Sequence, residues 1–434
     1  MTKLFVRIVL ACSAAACLAQ SPFAPSLLSR GAAPAEARAS GVHDEFQPYI
    51  GAISGYDSGL LTSDLERSGG PFQEIDGGLE ARHASKRASF LLDYNFAARH
   101  YAANSRLDFS DHALNLDSRF FLSRRLTVVL RDAAVSSSFG NGLQQPQPLA
   151  TLSPGFFVDG GPEVFHTRTF ANTALADVVF SPSARTSFSA GGDGFVVERQ
   201  SQALLDAVGW RARADFAHRY SRHKTISLSY SFTHFDHARS FGGADYAVYA
   251  VGHSLRLGKI SELDLLAGAG LLRSSGVRAV TLDPEIARLL GISRGAEIFR
   301  LHTWAPHLAA AWLQDVGSAE LRVELARLVS DGGGLTGLAR QNLGTVTLAP
   351  ARARHWRPSA IVEVRTFRSL DTLLYNSTSA LAGASLTRRI GPRTEALLRY
   401  QYAFYNFQTG LLRDFGRHQI AVGVMYYFHD RPDR

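Results

Sequence analysis

The stretch QIAVGVMYYF, from Gln419 to Phe428, decides the fold. Its residues Ile420, Val422, Val424, Tyr426 and Phe428 occupy every second position. Successive side chains of a strand point to opposite faces, so these five share one face, which ends on an aromatic. The same rule recurs upstream. Ile226, Leu228, Tyr230 and Phe232 alternate with Thr225, Ser227, Ser229, Ser231 and Thr233, and Val208, Trp210, Ala212, Ala214 and Phe216 alternate with Arg211, Arg213 and Asp215. Leu321, Val323 and Leu325 alternate with Glu320, Arg322 and Glu324. Ala396, Leu398, Tyr400, Tyr402 and Phe404 alternate with Glu395, Arg399 and Gln401. Each segment has one apolar face and one polar, often charged, face. Many run about ten residues or more, the length a tilted strand needs to cross a bilayer. Strands of a soluble sandwich are nearer five or six residues.

The punctuation between segments is asymmetric. Tight polar turns are expected at Ser85-Lys86-Arg87, Ser123-Arg124-Arg125, Ser181-Pro182-Ser183, Ser221-Arg222-His223-Lys224, Gly258-Lys259, Asp315-Val316-Gly317, Arg357-Pro358 and Gly391-Pro392. Most intervals between them are about 35 to 40 residues, enough for two strands, a loop and a turn. Two intervals are longer, with polar excursions at Ser136 to Pro162 and Ser274 to Glu297. Eight hairpins, a first strand near Tyr49 to Tyr56 and a last at Arg417 to Phe428 make eighteen strands. Sixteen is the alternative count, because Arg185 to Ala190 and Leu343 to Leu348 alternate weakly. The expected fold is an all-β, transmembrane, antiparallel up-and-down β-barrel over residues 48–428, with both termini on the short-turn side.

The final strand resembles that of the Gram-negative outer-membrane β-barrel proteins, which carries alternating apolar residues and a terminal Phe. That resemblance implies an outer-membrane location, contact with outer-membrane lipid and recognition of Ile420, Val422, Val424, Tyr426 and Phe428 by the barrel-assembly machinery. Six residues, 429–434, follow Phe428 as a short periplasmic tail, a small departure from the pattern. The bilayer explains the alternation. Hydrocarbon offers the backbone no hydrogen-bond partner, so only helices or closed sheets cross it. Tyr400, Tyr402, Tyr405, Tyr426, Tyr427 and Trp210 suit the aromatic girdles of such a barrel.

The N-terminus sets the compartment. Met1 to Ala19 has Lys3 and Arg7, an apolar run from Ile8 to Ala16 and a small-x-small site at Cys17-Leu18-Ala19, the pattern of a cleaved signal peptide. Residues 20–47 read as a flexible periplasmic leader, rich in Ala, Pro and Ser from Ser21 to Val42. Both cysteines, Cys12 and Cys17, lie in the signal segment, so the mature chain expects no disulfide and no thiolate metal site. Across 434 residues, 46% are hydrophobic and 19% charged, and mean hydropathy is −0.04. No run after the N-terminus is apolar enough for a membrane helix. Loss of Lys3 and Arg7 leaves 44 basic against 38 acidic residues, a charge too modest and too dispersed for a nucleic-acid partner.

A barrel of sixteen to eighteen strands is too wide for side chains alone to fill. The charged residues expected to line the lumen are Asp93, Asp117, Arg119, Arg211, Arg213, Asp215, Glu320, Arg322, Glu324, Glu363, Arg365, Glu395 and Arg399. Such groups either ring a pore and set its selectivity or pair across neighbouring strands. Asp283-Pro284-Glu285 opens a helical turn through Leu290, capped by Asp283 and stopped by Gly291, which either folds inward or decorates the surface. Enzyme chemistry and cofactors are not expected. His234 and His237 are three apart on a strand and face opposite sides, and Gly268 and Gly270 lack the helix start of a phosphate loop. The expected function is a channel for polar solutes. A layout similar to β-barrel porins associated with exopolysaccharide secretion implies an alternative, export of polysaccharide with a periplasmic export protein. A plugged structural or adhesin barrel is the third reading.

Overall fold

A sheet with one apolar face must bury that face or give it to lipid, and a sheet with free edges cannot lie in lipid. In the computed structural model the sheet closes on itself. The structure describes residues 43–429 apart from 62–66, 138–167, 202–203, 238–241, 259, parts of 282–293, 318, 331–337, 351–354, 371–375 and 408–413. The expected signal peptide, most of the leader, most of the 136–162 excursion and all but the first residue of the tail lie outside the described residues.

Eighteen strands follow one another: β1 His43–Leu61, β2 Arg67–Ala84, β3 Ala88–Tyr101, β4 Phe109–Phe121, β5 Leu126–Ser137, β6 Thr169–Ser183, β7 Thr186–Arg199, β8 Ala207–Ser221 and β9 Lys224–Asp236. The second half runs β10 Gly242–Arg256, β11 Ser261–Thr281, β12 Arg294–Val316, β13 Ala319–Ser330, β14 Ala339–Pro350, β15 Trp356–Ser369, β16 Asn376–Arg389, β17 Thr394–Phe407 and β18 Phe415–Tyr427. Every strand pairs antiparallel with its sequence neighbours, and β1 pairs with β18 from Tyr49↔Tyr427 to Asp57↔Gln419. The ring is an antiparallel up-and-down barrel of eighteen strands, and the two weakly alternating segments are strand, the first from Thr186 in β7 and the second within β14.

Several boundaries differ from the sequence reading. The first strand begins at His43, so residues 43–47 of the expected leader belong to the barrel, held by pairing from His43↔Ala84 onward. Arg357 and Pro358 lie inside β15 rather than in a turn. Pro358 is tolerated because β14 stops pairing at Leu348↔Ala360, where no partner asks for its missing N–H. Ser181 to Ser183 form an irregular end of β6, with a register shift between Phe180 and Ser183, and the reversal itself lies beyond Ser183. Half of the excursion from Ser274 to Glu297 is strand, since β11 and β12 pair without a break from Ser261↔Gln314 to Thr281↔Arg294. A paired hairpin satisfies its own backbone and can outrun the membrane. Gly258 and Gly317 sit at short turns with φ of 88° and 64°, where a Cβ would be strained.

One face of each strand is exposed and apolar. Trp304 is 61% exposed, Leu325 58% and Val422 59%, and Ile420, Val424, Tyr426 and Phe428 are exposed with them. The other face looks inward. Tyr405 and Tyr427 lie on that inner face and are not girdle residues. They share the odd-numbered face of β17 and β18 with buried Ala403, Phe407, Ala421 and Gln419. The Tyr427 ring packs at a tilt against Tyr49 of β1 with 5.8 Å between ring centroids.

Candidate functional site

The barrel interior is built from the residues that alternate with the exposed apolar ones. Arg211, Arg213 and Asp215 on β8 are buried between exposed Trp210 and its outward neighbours. Arg211 grips Asp193 of β7 with two donors, Nε to Oδ1 at 2.9 Å and Nη2 to Oδ2 at 3.1 Å. Arg213 reaches past β7 to Asp177 of β6, Nε to Oδ1 at 3.0 Å. Ser189 donates to Asp215 at 3.1 Å. These forks satisfy planar guanidinium and carboxylate together, the strongest form of such a contact.

Elsewhere the charges pair two residues apart on one strand, since i and i+2 share a face. Arg119 donates to Asp117 at 3.0 Å, and Arg131 of β5 reaches the same carboxylate at 2.6 Å. Arg322 donates to Glu324 at 2.6 Å on β13, and Arg365 pairs with Glu363 on β15. Glu395 pairs with Arg357 of β15 and accepts from Tyr427 at 3.4 Å. Asp93 accepts from Asn95 at 2.9 Å. Glu320 is half-buried beside the short turn before β13.

The largest network joins β17, β18, β1, β2 and β3. Arg417 of β18 forks onto Asp57 of β1, Nε to Oδ1 at 3.0 Å and Nη2 to Oδ2 at 2.6 Å. Tyr101 of β3 donates to Asp57 at 3.0 Å and accepts from Arg99 at 3.3 Å. Arg99 donates to Glu74 of β2 at 2.5 Å, and the same carboxylate accepts from Arg399 of β17 at 3.5 Å. Both side chains of the Arg99–Glu74 pair have 0% exposure. The Arg99 guanidinium lies 4.1 Å over the Phe72 ring, a cation–π contact on its remaining face. Of these residues only Arg399 was among the expected lining set. Arg99 was recoverable, since it lies on the same face of β3 as Asp93.

The wall from β9 to β12 differs. Its inward residues include Ser227, Ser229, Ser231, Thr233 and Phe235 on β9, then Ala244, Tyr246, Val248 and Ala250 on β10. Inward-facing charge on β10 to β12 lies toward the strand ends, with Arg256, Glu262, Asp264 and Asp315 near the short turns and Glu297 near the long loop, and His307 is buried on β12. Gly270 is required by its neighbour: a Cβ there would sit 2.2 Å from Cε2 of Tyr246. In an eighteen-strand ring β1 and β10 are nine strands apart either way, so the charged network faces the neutral wall across the interior.

His234 points outward and accepts or donates at 2.7 Å to Asp245, with Asp236 at 3.4 Å. With Arg273, Arg300 and His302 these groups line a concavity of about 670 Å³ at the long-loop end of β9 to β12. Among the described residues no group of three His, Cys, Asp or Glu is arranged to hold a metal. Asp283 accepts at 2.9 Å from the backbone of Glu285, the capping bond expected of that helical turn, and both residues are exposed.

An outer surface of Trp, Leu, Val and Ile on all sides is stable in hydrocarbon and not in water, and a closed ring leaves no unpaired edge to lipid. The chain is a transmembrane barrel of the outer-membrane type. No protein-family model matches the sequence, and no curated protein matches it. Among solved structures, it is similar to the outer-membrane protein OpdK of Pseudomonas aeruginosa at 11% identity and a TM-score of 0.43, covering 88% of this chain and 99% of that one. OccAB1 of Acinetobacter baumannii matches at 10% identity and 0.42, over 91% and 100% of the two chains. OccK2 of P. aeruginosa in complex with glucuronate matches at 11% and 0.45, over 90% and 100%. The fold assignment rests on the strand pairing itself.

Proposed function

We propose that the protein is a channel of the outer membrane through which small polar solutes diffuse. The observation that carries this reading is the closed ring of eighteen strands with a lipid-compatible outside and a charged, hydroxylated inside. Barrels of sixteen to eighteen strands are of the size that leaves an aqueous passage. In this reading Asp93, Asp117, Arg119, Arg211, Arg213, Asp215, Glu320, Arg322, Glu324, Glu363, Arg365, Glu395 and Arg399 line the passage. Their pairing holds the fields of opposite charges close together, which favours weak selectivity over strong rejection of either ion sign. Charge on one side and hydroxyl, Gly and Ala on the other give a solute with both a charged and an uncharged part something to meet on each wall. The exposed Ile420, Val422, Val424 and Tyr426 of β18 and the adjoining Phe428 are proposed as the segment read during assembly.

Planar-bilayer recording tests the channel. The purified, folded protein is expected to give discrete conductance steps that persist at low voltage. A silent membrane at protein doses where a known porin inserts would sink the proposal.

A further inference from the structure

The charge that is modest and dispersed along the sequence is sorted by height in the barrel. The eight short connections, from residues 85–87 to 390–393, hold ten Lys or Arg and no Asp or Glu. Seven of the eight carry at least one, so the charge forms a ring and not a patch. The nine long connections hold five Arg against eleven Asp or Glu. Outward arginines at the strand ends, such as Arg273 and Arg300, bring the long-loop end back toward balance. At the short-turn end Lys86, Arg87, Arg124, Arg125, Arg222 and Arg393 are exposed. The exposed carboxylates of that end among the described residues are Asp44, which His83 holds at 2.6 Å, and Asp315. The lumen belt does not cancel the ring, because Arg211, Arg213, Arg322 and Arg417 are matched by Asp193, Asp177, Glu324 and Asp57. The excess of positive charge therefore stands at one mouth.

Distance keeps the two ends electrically separate. The shortest strands, β5, β13 and β14, have 12 residues. At about 3.3 Å per residue and a tilt near 45° such a strand spans roughly 28 Å of height. The Debye length is about 10 Å at 0.1 M salt, so the field of the ring dies away before the long-loop end. Within its own mouth, a ring of one sign raises the local concentration of the opposite ion. Anions driven in from the short-turn side start from an enriched reservoir and fill the passage. With the voltage reversed they enter from the long-loop side, where no comparable excess gathers them, and the passage is depleted.

We propose, on the channel reading above, that this basic ring gives the channel a direction. It gathers small anions at the short-turn mouth, and anion current entering there exceeds the current in reverse.

Planar-bilayer recording of the full-length folded protein tests this, with chloride as the probe anion. S123C, in an exposed short turn, is biotinylated, and block by streptavidin added to one chamber shows that the short-turn mouth faces that chamber. In symmetric KCl of about 0.1 M and at about 100 mV, open-channel current is expected to be roughly twofold larger with the long-loop side positive than with it negative. The asymmetry is expected to vanish near 1 M KCl, where the Debye length is about 3 Å. K86Q/R87Q/R124Q/R125Q/R222Q removes half of the charge of the ring and is expected to lose roughly half of the asymmetry while still conducting. Symmetric current in low salt, or a larger current of the opposite sign, would overturn the proposal. So would an asymmetry unchanged by high salt or by the quintuple variant. A silent membrane is a different result: it sinks the channel reading, and the ring loses its role with it. Should the quintuple variant fail to show the mobility shift of a folded barrel on unheated gels, R124E/R125E is expected to lose roughly two-fifths of the asymmetry, and an unchanged R124E/R125E counts against the ring.

Discussion

The wall of β17, β18, β1, β2 and β3 and the wall of β9 to β12 solve one problem in opposite ways. Both are inward faces of the same closed sheet, and both exclude water from much of their surface. The first does so with Arg417, Asp57, Tyr101, Arg99, Glu74 and Arg399 in one hydrogen-bonded network. The second uses Ser, Thr, Gly and Ala around Phe235, Tyr246 and Leu272, which are fully buried. A charged wall is stable only while every member keeps its partner, because a buried charge left alone is expensive. A neutral wall tolerates loss of a polar group but not a change of volume. The two walls should therefore fail under different substitutions.

The largest effect belongs to the charged wall. Arg417→Ala leaves Asp57 buried beside Tyr101 with no cation of its own, and is expected to destabilise the barrel by about 3–5 kcal/mol. The loss would be read as a lower temperature for heat-induced unfolding on semi-native gels. A change below about 1 kcal/mol would mean that water or another cation reaches Asp57. The matching substitution on the neutral wall is Gly270→Ala. Its Cβ collides with the Tyr246 ring, so a cost of about 1–3 kcal/mol is expected from overpacking, with no change in ion selectivity. If instead Gly270→Ala is silent while Arg417→Ala is severe, the neutral wall is looser than its burial implies.

A third substitution asks whether the walls differ as seen from a passing ion. Ser229→Arg puts a cation on the half-buried inner face of β9, where the carboxylates of β10 to β12 lie only toward the strand ends. Reversal potentials in a salt gradient are expected to move toward anions, with a permeability ratio changed roughly two- to fivefold for a unit charge in a watery passage. No movement would mean that the neutral wall is not in the ion path.

The outer face was legible in the sequence because lipid imposes one demand on every strand, and a period of two survives without tertiary context. The inner face was only half legible. Arg211, Arg213 and Asp215 stood out because β8 alternates cleanly. In β2, RSGGPFQEIDGGLEARHA, Glu74 and Asp76 face inward while Gln73 and Gly77 face out, so polarity does not distinguish the faces. Asp57 lies one residue past the strand end read from the sequence. Its partner Arg417 is 360 positions away and adjoins it only because the sheet closes. Tyr405 and Tyr427 were misplaced for a related reason: aromatic character marks both a membrane girdle and a packed interior, and only strand parity separates them. Strand length was underread where the β11–β12 hairpin continues with polar residues, since backbone pairing needs no apolar side chains once it has left the lipid.

The smallest expected effect is the sharpest test of the difference between the walls. Tyr246 is fully buried on β10, and among the described residues its hydroxyl has no hydrogen-bond partner. A buried hydroxyl without a partner costs about 1–3 kcal/mol in lost hydration, whereas the ring keeps its packing over Gly270 in either side chain. Tyr246→Phe is therefore expected to leave stability unchanged or to raise it by up to about 1 kcal/mol. Tyr101→Phe, on the opposite wall, removes both a donor to Asp57 and an acceptor for Arg99 and is expected to lower stability by about 1–3 kcal/mol. The two substitutions delete the same atom from the same residue type at similar burial. Opposite signs would show that the network, and not burial alone, sets the energetics of the charged wall. Equal losses would show that Tyr246 has a partner in the passage, such as an ordered water, and that the wall from β9 to β12 is wetter than it is neutral.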